Sequence, residues 1–193
     1  WPDATLWDFE NPNLYHLRLV VRGEGQADDV RTTRFGFREF WCDGPRFRLN
    51  GTPVLLRSSS MWPLPEKDRE AAAGRLRRLK GINVICFRTH TQPWRQHWYE
   101  AADEVGMLMI PEGPVFNDDT YYRLSDPVFW ENYAGELRSL VGRLKNNPSV
   151  IAYSLENEFF GPVMNDRSPA KAELVRLGAL MRWRSSAANP VER

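Results

Sequence analysis

The segment Ile151-Ala152-Tyr153-Ser154-Leu155-Glu156-Asn157-Glu158 decides the fold class of this 193-residue chain. Its pattern is that of a buried strand that ends on an amide and a carboxylate. Parallel α/β barrels carry their functional groups at the C-terminal ends of such strands. The segment therefore predicts a parallel sheet with chemistry along one rim, and Asn157 and Glu158 are the first candidates for that chemistry.

The region from residue 54 to residue 183 alternates apolar strands with amphipathic helices. Predicted strands cover 54–57, 82–87, 107–110 and 150–155, and predicted helices cover 65–80, 93–105, 126–145 and 168–183. This alternation indicates a parallel sheet with helices outside it. Four such units fit either a small open sheet or the first half of an eight-fold barrel. A half barrel would leave sheet edges open, so we expect the chain to be part of a longer protein.

The first part of the chain has β patterns instead. Strands are predicted at 14–21 and 30–38 on either side of a turn that contains Gly23 and Gly25. The Asn50-Gly51 pair predicts a tight turn between further strands at 40–49 and 52–57.

Charge and composition exclude several kinds of partner. The 26 basic and 25 acidic residues give a net charge of +1, which predicts no nucleic-acid or membrane-surface binding. No run approaches the ~18 apolar residues of a membrane helix. Cysteine and histidine spacings match no metal site and no phosphate-binding glycine loop is present, so the sequence predicts neither a metal nor a cofactor. It carries no signal for an oligomeric state or a compartment.

The residues that follow the four predicted strands form a polar, ionisable and aromatic rim. They are Ser58, Ser59, Ser60, Met61, Trp62, Arg88, Thr89, His90, Gln92, Glu112, Asn157 and Glu158. Cleavage of a glycosidic bond needs a proton donor for the leaving oxygen and a carboxylate near the anomeric carbon. Glu158 lies between Leu155 and the Phe159-Phe160 pair, an apolar setting that favours a protonated carboxyl group. Glu158 is therefore the candidate general acid/base.

The candidates for substrate binding are Asn157, Arg88, His90, Glu112 and Trp62. Asparagine, histidine and arginine can hold sugar hydroxyls or a charged sugar, a glutamate can support them, and a tryptophan can stack on a sugar. Each has a structural alternative. Arg88 could form a salt bridge with Glu112 or Glu158, His90 could be a structural histidine, and Trp62 could serve packing alone.

The motifs, taken in chain order, resemble glycoside hydrolase family 2. Leu6-Trp7 with Asn11-Pro12-Asn13-Leu14-Tyr15 is similar to the strand that closes the immunoglobulin-like domain of that family. Tyr153-Ser154-Leu155-Glu156-Asn157-Glu158 is similar to its strand-four motif. The intervening and following matches are GFR at 36–38, FRLNGTPV at 47–54, KGINV at 80–84, DEVG at 103–106, RLKNNPSV at 143–150 and NPVER at 189–193.

The resemblance implies an α/β fold: the C-terminal strands of an immunoglobulin-like β-sandwich at 1–40, then the first half of a (β/α)8 TIM barrel at 41–193. It implies an exo-acting retaining glycosidase of β-linked sugars with Glu158 as general acid/base. The nucleophile would be a second glutamate at the end of strand seven, beyond Arg193, so the chain alone is expected to be inactive. The alternatives are an endo-glycanase of the same clan and a non-catalytic carbohydrate-binding relic.

Two motifs depart from the family pattern. Ser58-Ser59-Ser60-Met61-Trp62 replaces Gly-x-Asn-x-His, and Arg88-Thr89-His90-Thr91-Gln92-Pro93 replaces Arg-x-Ser-His-Tyr-Pro. These differences predict a divergent branch of the family with its own sugar specificity.

Overall fold

The computed structural model describes residues 3–23, 25, 27–116, 122–158 and 169–186, with the side chains of the last helix described over 170–179. The chain begins with two antiparallel sheets. Strands β1 (Tyr15–Val21) and β2 (Asp29–Phe35) form a hairpin, as predicted. Strands β3 (Phe40–Asp43), β4 (Arg46–Leu49) and β5 (Thr52–Val54) form the second sheet.

The Asn50-Gly51 turn between β4 and β5 is confirmed. Both residues have positive φ, 50° and 82°, as the tight hairpin turn requires. The single strand predicted over 40–49 is wrong, because Gly44 adopts a φ of 56° and turns the chain back between β3 and β4.

Three parallel strands follow in the order of the chain: β6 (Ser58–Met61), β7 (Cys86–Thr89) and β8 (Leu108–Pro111). Helix α1 (Arg69–Gly81) connects β6 to β7, and α2 (Gln96–Val105) connects β7 to β8. Helices α3 (Pro127–Leu144) and α4 (Pro169–Ser186) complete the succession. The predicted alternation of parallel strands and helices is therefore confirmed.

Residues 150–157 form a fourth parallel segment rather than the regular strand predicted at 150–155. Single parallel bridges join Val150 to Met109, Ser154 to Glu112 and Asn157 to Phe116. The segment lies beside β8, but the ladder between these bridges is interrupted. We refer to residues 150–157 as the fourth segment.

Two predicted strand positions differ from the structure. Val54 pairs with Phe47 in the second antiparallel sheet, so the first parallel strand begins at Ser58. Asn83 has a φ of 69°, and the Val84 amide donates back to the Leu79 carbonyl at 3.1 Å. These contacts complete the end of α1 and delay the start of β7 to Cys86.

Helices α1 and α2 begin at Arg69 and Gln96, later than the predicted starts at residues 65 and 93, whereas α3 begins at its predicted signal. The side chains of Asp68 and Asp126 accept hydrogen bonds from backbone amides in the first turns of α1 and α3, and Pro127 is the first residue of α3. Gly106 ends α2 with a φ of 73°. Within the described residues, no helix combines the length and apolar character needed to cross a membrane.

The antiparallel part packs against the N-terminal ends of the parallel strands. Trp7 is fully buried, and its indole Nε1 donates to the Asp103 carbonyl at 2.8 Å. The guanidinium of Arg34 contacts Asp103 and Glu104, and Arg38 Nε donates to the Pro148 carbonyl at 3.0 Å. These contacts hold the antiparallel part at the N-terminal end of the barrel strands.

Candidate active site

Arg88 is the centre of a polar cluster at the C-terminal rim. Its Nη1 donates to Glu112 and to Asn157 Oδ1, the latter at 3.1 Å. Glu112 is fully buried, and its Oε2 also accepts from the Ser154 hydroxyl at 2.7 Å. The cluster therefore ties β7 to the end of β8 and to the fourth segment.

Arg88 does not lie where the sequence predicted. Its salt-bridge partner, however, is one of the two glutamates named as alternatives. Arg88 lies within β7 and not after it, because that strand starts later than the sequence suggests. The salt bridge to Glu112 is present. A buried carboxylate is stable only when paired and hydrogen-bonded, and Arg88 and Ser154 provide both to Glu112.

His90 and Trp62 form a second pair beside this cluster. Their rings are 4.5 Å apart between centroids at 74°, an edge-to-face arrangement. His90 Nδ1 lies 3.6 Å from Glu112 Oε1, too far for a hydrogen bond. Trp62 follows β6 and is 61% exposed, so one face of the pair is open to solvent. Ser58 to Met61, predicted at the rim, lie within β6 instead.

Asn157 ends the fourth segment at the same rim, and Glu158 follows it directly. The Asn157 amide donates to the Val115 carbonyl at 3.0 Å, and its side chain is almost completely buried. Glu158 is exposed and has a φ of 60°. A left-handed backbone costs a non-glycine residue about 1–2 kcal/mol, and such positions concentrate at functional sites.

The apolar setting predicted for Glu158 stays a prediction, because the Phe159-Phe160 pair expected to shield the carboxyl lies outside the described residues. Asn157, which precedes Glu158 in sequence, is buried and accepts a hydrogen bond from Arg88.

Sequence reasoning missed one residue of the polar cluster, Ser154, which donates to Glu112. It named Thr89 at the rim without a role, and the structure shows that Thr89 Oγ1 accepts from the Glu112 amide at 3.0 Å. A polar residue inside an otherwise apolar strand was the available signal for Ser154, because a buried hydroxyl needs a partner. The second missed residue is Tyr133 of α3, whose hydroxyl donates to the Leu155 carbonyl. It belongs to an apolar helix face, and nothing in the sequence distinguishes it there.

The described rim places a buried, arginine-paired glutamate, an oriented asparagine and a solvent-exposed glutamate at the ends of adjacent parallel strands. The antiparallel strands dock at the opposite, N-terminal end of the same parallel strands. Together these features define a TIM-barrel protein with a carboxylate-bearing rim. The TIM barrel domain profile of glycosyl hydrolases family 2 matches residues 72–176, and a second profile of that family matches residues 2–38. The chain therefore belongs to glycosyl hydrolases family 2, and its fold is part of a TIM barrel preceded by strands of an immunoglobulin-like domain.

Individual relatives agree with this assignment. The chain is 31% identical over 166 residues to a β-galactosidase of Psychromonas ingrahamii, covering 81% of this chain and 16% of the relative. It is 31% identical over 165 residues to a putative β-glucuronidase of Formosa agariphila, covering 82% of this chain and 19% of that protein.

A solved structure is similar over nearly the whole chain. The β-glucuronidase of Ruminococcus gnavus in complex with D-glucaro 1,5-lactone superposes with a TM-score of 0.82 at 27% identity, covering 95% of this chain and 32% of that one. The chain thus spans about a sixth to a third of the length of the proteins it resembles.

Proposed function

We propose that this chain carries the acid/base half of the active site of a retaining β-glycosidase. Glu158 protonates the leaving glycosidic oxygen in the first step and deprotonates water in the second. The observation that carries the proposal is that Glu158 directly follows the buried Asn157, whose side chain accepts from Arg88 of the Arg88–Glu112 pair at the C-terminal rim. The names of the relatives, β-galactosidase and β-glucuronidase, support a terminal β-linked sugar as substrate.

The nucleophile in this proposal is a second carboxylate on a later strand, beyond Arg193. A retaining mechanism needs both groups, because the covalent glycosyl intermediate forms on one and the other exchanges protons. The 193 residues alone are then expected to bind sugar weakly and to turn over none. We also propose the division into an immunoglobulin-like part at 1–40 and a barrel part at 41–193.

The buried cluster orients the groups that would contact the sugar. Asn157 Oδ1 accepts from Arg88, so the amide NH₂ is the end that can donate to a sugar hydroxyl. Arg88 is partly exposed, at 30%, and its remaining N–H groups can do the same. Glu112 pairs with Arg88 and has no exposed surface of its own.

The Trp62–His90 pair is the proposed side wall of the sugar pocket. An exposed indole offers an apolar face on which the C–H groups of a sugar can pack. The edge-to-face contact with His90 fixes the ring, which lowers the entropy lost when a ligand binds.

The test of the proposed function compares two glutamates of the same stretch in the full-length gene product. Glu158→Gln is expected to lower kcat for aryl β-glycosides by ~10²–10⁴-fold, the usual contribution of a general acid/base. Glu156→Gln, the matched control, is expected to change kcat by less than about threefold, and both variants should keep the wild-type melting temperature.

Full activity of Glu158→Gln would contradict the assignment of Glu158. A wild-type protein that binds β-linked sugars but releases no aglycone would instead support the carbohydrate-binding alternative.

A further inference from the structure

The fourth segment is attached to the β8 side only at intervals. The Ser154 amide donates to the Pro111 carbonyl at 2.9 Å, and the Ser154 carbonyl accepts from the Gly113 amide at 2.9 Å. The next backbone bond is from Asn157 to the Val115 carbonyl at 3.0 Å. Between these points the Leu155 carbonyl accepts from a side chain, the hydroxyl of Tyr133 on α3.

Tyr133 is held rigidly by its own helix and by neighbouring rings. Its side chain is 3% exposed and packs against Phe129 and Trp130, with ring centroids 6.1 Å and 6.4 Å away. Ala134 and Leu137 belong to the same buried cluster. A side chain fixed in this way can transmit the position of α3 to the backbone it touches.

Gly113 provides the space for this contact. A Cβ atom at residue 113 would collide with the Tyr133 hydroxyl and lie 3.0 Å from the Leu155 carbonyl oxygen. The end of β8, helix α3 and the fourth segment therefore converge at one point, and that point is three residues before Glu158.

We propose that Tyr133 is a positioning residue for Glu158. Its hydroxyl fixes the Leu155 peptide, and that peptide precedes the Asn157–Glu158 pair. The inference rests on the proposed role of Glu158 as general acid/base. Misplacement of a catalytic group by a fraction of an ångström to 1 Å can cost up to ~10²-fold in rate. Glu158 already has a left-handed backbone, so its side-chain direction depends on the residues directly before it.

Tyr133 itself takes no part in proton transfer. Burial raises the pKa of its hydroxyl, and the nearby Glu156 and Glu112 carboxylates raise that pKa further. The hydroxyl therefore stays a neutral donor at working pH, and its contribution is geometric.

The experiment measures kcat/KM of Tyr133→Phe in the full-length gene product across aryl β-glycosides of different leaving-group acidity. Protonation by the general acid matters most for a poor leaving group such as phenol, and least for 2,4-dinitrophenol. We expect about a tenfold loss for the phenyl substrate and less than about a threefold loss for the dinitrophenyl substrate. Tyr122→Phe is the matched control, because its hydroxyl also donates to a backbone carbonyl, that of Pro114 at 3.2 Å, and within the described residues it makes no hydrogen bond to the fourth segment. It should show neither loss.

An equal loss for both substrates, or none, would overturn the inference. Gly113→Ala gives a second test, since the added methyl group displaces the same hydroxyl and should produce the same selective loss. If kcat/KM of Glu158→Gln depends steeply on the leaving group while kcat/KM of the Tyr133 and Gly113 variants does not, only the role of Tyr133 is refuted. A fully active Glu158→Gln would refute the proposed function itself.

Discussion

Two buried carboxylates lie at opposite ends of the parallel strands and have different partners. Glu112, at the C-terminal rim, is paired with Arg88 and Ser154. Asp103, at the N-terminal end, is 2% exposed and accepts from the Ser149 hydroxyl at 2.6 Å and from Asn147 Nδ2, also at 2.6 Å. Ionised groups persist in a core only with such partners, so each carboxylate fixes the local geometry of the elements around it.

Asp103 is expected to make stability depend on pH. Burial raises its pKa from an ordinary value of 3.8 to about 6, although bonds from Ser149 and Asn147 and the charge of Arg34 oppose that rise. Because the folded state binds the proton more tightly than the unfolded state, the contribution of this group is greatest below pH ~4. It falls by ~3 kcal/mol in all as the pH rises from well below 4 to about 7 and is constant above that.

The measurement is the difference in unfolding free energy between the wild type and Asp103→Asn, taken from pH 4 to pH 7. Asparagine does not titrate, so other groups cancel in the difference. The wild type should lose about 2.5 kcal/mol relative to the variant over this interval, because part of the full change lies below pH 4. A gain with rising pH would mean that Arg34 and the hydrogen bonds outweigh burial.

Among the elements, the end of α2 is where the antiparallel part meets the barrel. Gly106 has a φ of 73°, and a Cβ atom there would lie 2.5 Å from the Phe9 carbonyl oxygen. The Lys80 ammonium donates to the same carbonyl and to that of Val105. A glycine is required here both for the backbone conformation and for the close approach.

Gly106→Ala is expected to destabilise the protein by about 2–4 kcal/mol, the sum of left-handed strain and overpacking. Gly142→Ala is the control, because Gly142 lies inside α3 with no atom within 4 Å of the added methyl group. It should stabilise by about 0.5–1 kcal/mol through higher helix propensity. Denaturant unfolding of both variants gives the comparison, and a Gly106→Ala variant as stable as the wild type would contradict the packing described here.

The limits of α3 and the end of α2 could be predicted from sequence more closely than the starts of the first two parallel strands or of α1 and α2. Asp126, Pro127 and Gly106 act locally, so α3 and the end of α2 lie within a residue or so of their predicted limits. The start of β6 could not be predicted in this way, because it depends on Val54 pairing with Phe47 in another sheet. Strand limits are set by tertiary pairing that a local pattern does not contain.

The residues of the candidate site also divide into those that the sequence could predict and those that depend on tertiary contacts. Parallel topology alone predicts that Arg88, Glu112 and Asn157 meet at one rim, and the structure brings them into contact. Tyr133 could not be predicted, because its role depends on the distance between α3 and a carbonyl 22 residues away.

In the molecule as a whole, the two ends of the parallel strands carry different sets of residues. The N-terminal end carries the contacts of Trp7, Arg34 and Arg38 with the barrel. The C-terminal rim carries Arg88, Glu112 and the Asn157–Glu158 pair. This division is the general arrangement of TIM-barrel enzymes, in which one face supports stability and the other catalysis.

The most direct test of the central claim is the distance between the Glu158 carboxyl group and the nearest second carboxyl group across the rim, in a structure of the full-length gene product. A retaining glycosidase requires about 5–5.5 Å between the two groups, and that is the predicted result. A separation of about 6.5–9.5 Å would indicate an inverting enzyme. A rim with no second carboxyl group facing Glu158 would contradict the proposed glycosidase function.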